Sequence, residues 1–154
     1  MKTIIAGSRS IVDQSLIDRI LDKFFVCPKI PITEVVSGKA LGVDTLGEDW
    51  AIRNGIPVIP FPADWKNIDV PGAVIKYNKY GAFNAVAGHM RNEQMAKYAE
   101  ALILFWDGVS TGSSDMFVRA VKHKLVITRF VIKNDDIQYQ TFDLESNVIV
   151  TRHI

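Results

Sequence analysis

The chain has a single cysteine, Cys27, in 154 residues. That excludes an internal disulfide framework and a cysteine-rich zinc site, and the apolar run Phe24-Phe25-Val26 beside it reads the thiol as a small buried or half-buried side chain. Net charge is nearly absent, at +1. No bulk field favours a nucleic-acid backbone, so nucleic acid is not an expected partner. No apolar run approaches the ~20 residues of a membrane span, and Gly7 and Ser8 interrupt the N-terminal apolar stretch before it reaches the length of a signal peptide. The expectation is a cytoplasmic protein with no membrane partner. His89, His123 and His153 stand isolated, with no metal-ligand spacing and no Ser/His/Asp or Cys/His set, so no metal and no cofactor is expected.

What is present is a hydrophobic content of 48%, enough for one well-buried core. Apolar strand patterns at residues 3–6, 33–37, 56–61, 101–106 and 124–130 alternate with helix patterns at 15–25, 44–54, 89–100 and 114–122. Pro28 and Pro31 end the first helix and Gly55 the second. Strict alternation predicts a mostly parallel sheet covered on both faces, an α/β Rossmann-like three-layer sandwich, with ligands bound beyond the carboxyl ends of the strands. The whole of 1–154 reads as one domain. Residues 62–88 have no clean period and are expected to form a long, partly helical insertion, a candidate lid. Residues 137–142 and 148–152 flank a turn at 143–147 and read as a β-hairpin added at an edge.

Three strands run directly into loops of small hydrogen-bonding residues and then into helices. These loops are Gly7-Ser8-Arg9-Ser10, Ser37-Gly38-Lys39-Ala40-Leu41-Gly42-Val43-Asp44, and Asp107-Gly108-Val109-Ser110-Thr111-Gly112-Ser113. Helix N-termini carry unpaired N–H groups and partial positive charge, so such junctions suit a phosphorylated ligand. None matches the Walker loop or the GxGxxG fingerprint. Arg9 has the fork to clamp a phosphate, or pairs with Asp13 or Asp18. Asp44 reads as a helix cap or as a partner of a ligand hydroxyl, and Asp107 as a turn cap. Asp115 stays open between capping and acid–base work. In Gly88-His89-Met90-Arg91-Asn92, Arg91 is placed to reach a phosphate or ribose, and Asn92 to orient it. Trp65 and Trp106 read either as core or as a sandwich for a base.

Taken in order, Gly7-Ser8-Arg9, the 37–44 loop with Trp50-Ala51, Phe61-Pro62-Ala63-Asp64-Trp65, Gly88 to Met95, and Phe105 to Gly112 resemble the SLOG superfamily. This Rossmann-like group includes the LOG and DprA proteins. The likeness is closest to its YspA/YpsA-related branch, often found in phages and mobile elements, and spans residues 3–130. The resemblance implies a nucleotide-derived small molecule as ligand and a homo-oligomer. Its ligand-binding residues would be Gly7, Ser8, Arg9, Ser37, Gly38, Lys39, Gly42, Asp44, Arg91, Asn92, Asp107, Gly108, Ser110, Thr111, Gly112 and Ser113. LOG-type phosphoribohydrolases carry an arginine at a helix start and a glutamate after a Gly-Gly-x-Gly-Thr loop. Here Arg91 fits the first, but Met116 stands at the glutamate position and Asp115 one residue earlier. Two functions follow: a sensor or sequestering module for the nucleotide, or, as the alternative, a nucleotide N-glycoside hydrolase using Arg91 with Asp115 or Asp44. DNA binding, by likeness to DprA, is disfavoured by the near-neutral charge.

Overall fold

The computed structural model describes residues 1–154 apart from 27–30, 144 and 146. The environment of Cys27, the helix stop at Pro28 and parts of the 143–147 turn lie outside the described residues. The elements run β1 (Lys2–Gly7), α1 (Gln14–Phe25), β2 (Glu34–Ser37), α2 (Val43–Arg53), β3 (Val58–Pro60), β4 (Ile75–Asn78), β5 (Gly81–Asn84), α3 (Ala87–Tyr98), β6 (Ala101–Trp106), α4 (Thr111–Lys122), β7 (Val126–Lys133), β8 (Asp136–Phe142) and β9 (Val148–His153). Among the described residues, no helix is long and apolar enough to cross a membrane.

Seven strands form one sheet in the order β3-β2-β1-β6-β7-β8-β9. The first five are parallel, and β8 and β9 continue the sheet antiparallel. The C-terminal hairpin therefore extends the main sheet. The strand pattern at 124–130 continues to Lys133 before the chain turns at Asn134, whose φ of 54° is left-handed.

Period-two side-chain alternation builds a core on each face. Ile4, Ala6, Leu102 and Leu104 pack with Met95 and Ala96 of α3 and with Met116 and Ala120 of α4. Ile5, Ile103 and Phe105 face the other way, onto Ile17, Ile20 and Leu21 of α1 and Val43, Trp50 and Ala51 of α2. Each fully buried aliphatic or aromatic side chain contributes about 1.5–3 kcal/mol relative to exposure, so the two clusters hold the three layers together. The 17, 20, 21 spacing gives α1 its single buried stripe, and Asp13 caps it by accepting from Leu16 N at 3.1 Å.

Residues 62–88 correct the sequence expectation. The residues there are not helical until α3 begins at Ala87, and β4 and β5 form an antiparallel hairpin in between. All of β4 is exposed, so it lacks the buried face whose period would announce a strand. Asn84 anchors the arm: its Oδ1 accepts from Val74 N at 3.3 Å and Val86 N at 3.2 Å.

The strand order reverses between β1 and β6, because β2 and β3 lie to one side of β1 and β7 to the far side of β6. A crevice opens beyond the carboxyl ends of strands at such a switch point.

Candidate functional site

The end of β1 passes so close to β6 and α2 that a Cβ on Gly7 would collide with the Phe105 carbonyl oxygen and come within 2.8 Å of Val43 Cγ2. Ser8 follows and is fully buried. Its N–H donates to Phe105 O at 3.0 Å, its Oγ accepts from Asp107 N at 3.0 Å, and it lies 3.4 Å from Ser113 Oγ. One hydroxyl thus ties together the ends of β1 and β6 and the start of α4.

Asp107 organises the next loop. Its Oδ1 accepts from Val109 N at 2.9 Å and Ser110 N at 2.8 Å, and its Oδ2 from Ser10 Oγ at 2.8 Å. Burial opposes its charge, but these donors outweigh burial and hold the carboxyl below its ordinary range. Asp107 is the turn cap that its sequence position suggests. Ser110 is the N-cap of α4, so the helix begins at Thr111, three residues earlier than its pattern indicates.

A cavity of about 460 Å³ lies above these strand ends. The first turn of α4 lines it through Thr111, Gly112 and Ser113. The start of α3 contributes Gly88, His89, Arg91 and Asn92, and the start of α2 contributes Ala40 and Asp44. Neither α2 nor α3 has a side-chain cap, and none of α3 and α4 has an acidic residue in its first turn. The starts of three helices therefore meet one cavity, whose lining also carries the cationic side chains of Arg9 and Arg91.

The only carboxylate in the first turn of α2 is Asp44, 5% exposed. It is not the helix cap: Gly42 takes that place, with a φ of 78° and with Arg9 Cα only 2.6 Å from where a Cβ would stand. The Asp44 Oδ2 instead accepts from Ala40 N at 3.3 Å. Burial pushes its pKa up to about 6, against the opposing pull of the Ala40 N–H and of Arg91. Arg91 is itself shifted down by burial, an effect the Asp44 charge counters. The Arg91 Nη1 donates to the Gly38 carbonyl and its Nε to Asn92 Oδ1 at 3.0 Å. Asn92 Nδ2 in turn donates to Asp115 Oδ2 at 2.9 Å and to Gly112 O at 3.4 Å.

Of the residues singled out in the sequence, Gly7, Arg9, Asp44, Arg91, Asn92, Asp107, Ser110, Thr111, Gly112 and Ser113 come together on this lining. Ser8 and Gly42 support it from behind, and Gly108 lies outside it. Ser37 and Lys39 turn away: Ser37 Oγ donates to Glu48 Oε1 at 2.5 Å, and Lys39 Nζ pairs with Glu48 Oε2 at 2.9 Å. Gly38 and Lys39 line a neighbouring groove of about 340 Å³ that shares Arg9, Ala40, Trp65 and Arg91 with the cavity. Asp115 is engaged behind the lining by Asn92 and by Arg119 Nε at 2.9 Å, with His89 Nδ1 4.0 Å away.

Sequence reasoning did not select Ser10, Ala40, His89, Met95 or Met116 as lining residues. The two methionines belong to helical core stripes, and only the strand order shows that those stripes end at the cavity floor. Among the described residues, no three His, Cys, Asp or Glu side chains gather as a metal-holding group.

No curated protein and no solved structure matches the chain. Residues 1–67, from β1 through β3 to just past Trp65, match the model of YAcAr, the YspA, cpYpsA-related SLOG family, which is the family that the motifs resemble.

Proposed function

We propose that the protein binds a nucleotide or nucleotide-derived small molecule in this cavity, as a sensor or sequestering module. The observation that carries the reading is the convergence of three helix starts with Arg9 and Arg91 on one polar crevice at the switch point. The phosphate sits on the first turn of α4, where Thr111 and Gly112 are exposed and backbone N–H groups are unpaired. Arg91, held by Gly38 and Asn92, supplies the fixed counter-charge, and Asp44 accepts from a ribose hydroxyl. Family resemblance over residues 1–67 supports a nucleotide-related ligand.

Isothermal titration with AMP tests this reading. Binding that weakens at least tenfold in Arg91→Ala supports it, and a folded protein that takes up no nucleoside monophosphate at millimolar concentration refutes it. Native mass spectrometry of the same samples reports both any co-purified nucleotide and the homo-oligomer implied by the resemblance.

A second reading, phosphoribohydrolase activity, is favoured by one observation: Asp44 lines the cavity with a pKa near neutrality, as general acid–base work requires. Water would add to C1′ of the ribose as the bond to the base nitrogen breaks, and the departing base would take up the proton. Asp115 suits this role less well, since Asn92 and Arg119 already occupy its carboxylate. Release of free base from AMP, lost in both Arg91→Ala and Asp44→Asn, distinguishes hydrolysis from binding alone.

A further inference from the structure

We infer that Trp65 is the platform on which the base of the nucleotide stacks, an assignment that rests on the binding reading above. The three tryptophans have different surroundings. Trp50 is 2% exposed and donates its Nε1–H to Asp22 at 2.9 Å. Trp106 is half-buried, donates to Ser110 O at 3.0 Å, and carries the Arg129 guanidinium 5.4 Å above its ring. Trp65 is 41% exposed, and it lines both the cavity and the neighbouring groove. Leaving so large an apolar ring open to water forgoes its burial energy, and here the open ring is part of a binding crevice.

The ring is also held in place. Trp65 O accepts from Asn84 N at 2.7 Å, which fastens the loop to the base of the β4–β5 arm. Its benzo edge lies over the first turn of α3: a Cβ on Gly88 would stand 3.4 Å from Trp65 Cη2 and 3.7 Å from Cζ2. A small residue at 88 therefore lets the indole lie low across the helix start. A flat ring on the same lining as the Thr111–Gly112 turn and Arg91 provides one surface for an aromatic base and another for a phosphate. Stacking accepts any base, because every base has a π-face. Trp65 accordingly contributes affinity for a nucleobase without choosing among bases.

The test compares ribose 5-phosphate with the four common ribonucleoside 5′-monophosphates, by calorimetry and by tryptophan emission, in the wild-type chain and in Trp65→Phe and Trp65→Leu. We expect the monophosphates to bind the wild type about tenfold or more tightly than ribose 5-phosphate, and to quench emission where ribose 5-phosphate does not. Trp65→Leu should remove both the quench and the advantage while ribose 5-phosphate binds as before, and Trp65→Phe should keep most of the advantage. Equal loss of both ligand types in Trp65→Leu, or an advantage that survives it, overturns the assignment while leaving the phosphate site standing. If the wild type binds none of these ligands, the binding reading falls and the platform falls with it.

Discussion

Asp44→Asn measures what it costs to hold a carboxylate at the edge of the cavity. Burial raises the Asp44 pKa from 3.8 to about 6. Between those values the folded chain retains a proton that the unfolded chain has released, so stability falls as pH rises through the window. At about 1.4 kcal/mol per tenfold change in proton affinity, the loss reaches roughly 3 kcal/mol and levels off above pH 7. Asparagine keeps an oxygen to accept from Ala40 N and does not titrate. Any hydrogen bond it fails to replace adds an offset that does not vary with pH. The assay is urea unfolding of both chains by circular dichroism at intervals from pH 3.5 to 8. The stability of the variant minus that of the wild type should rise by roughly 3 kcal/mol from the acid end to pH 7 and then stay constant. A flat or falling difference would refute the argument, because it would mean that Asp44 ionises in the fold as readily as in water. The same titration acts on ligands: the pH dependence of AMP binding between about pH 4 and 7 should differ between the wild type and Asp44→Asn, with the ionisation of the AMP phosphate common to both.

Ser8→Ala removes the buried hydroxyl that joins the ends of β1 and β6 to α4. Leaving the Asp107 N–H without its acceptor should cost about 1–3 kcal/mol, read as a thermal midpoint several degrees lower. Gly42→Ala forces a side chain into a left-handed position against Arg9 Cα, so it should destabilise by more than about 1 kcal/mol in chemical unfolding and weaken AMP binding by displacing Arg9 and the start of α2. Glu93 is held down to about 2 by His123 at 2.5 Å, with Lys122 assisting against burial. Its contribution is present above pH 4.5 and fades as pH falls toward 2, so Glu93→Gln should lose about 1 kcal/mol at pH 7 after allowance for solvent screening, and the two chains should converge at acid pH.

The parallel core was legible because its strands are continuous apolar runs and its helices carry stripes such as Ile17, Ile20 and Leu21. The loops were legible because small residues follow those runs directly. Other features depend on partners distant in sequence. The Glu48 partner of Lys39 and the Asn92 and Arg119 partners of Asp115 come from the fold and leave no mark in the loops themselves. The β4–β5 arm was illegible for a different reason: an exposed strand has no buried face to leave a periodic trace. The start of α4 was hidden by Thr111-Gly112-Ser113-Ser114, residues of weak helix propensity whose helical state depends on the Ser110 cap.

The pairing of β1 with β6 joins Thr3 to Ala101 and Gly7 to Phe105, the widest sequence gap in the parallel sheet. Loop-closure entropy must be overcome before that seam is rewarded with contacts, so it should be among the slower steps of folding. The cavity opens on this seam, taking Gly7 and Arg9 from one side and Ser110 to Ser113 from the other. A ligand bound there touches both halves of the chain. It would act as a clasp, slowing the parting of the two halves and lengthening the lifetime of the folded chain by a factor that grows with the ratio of ligand concentration to Kd.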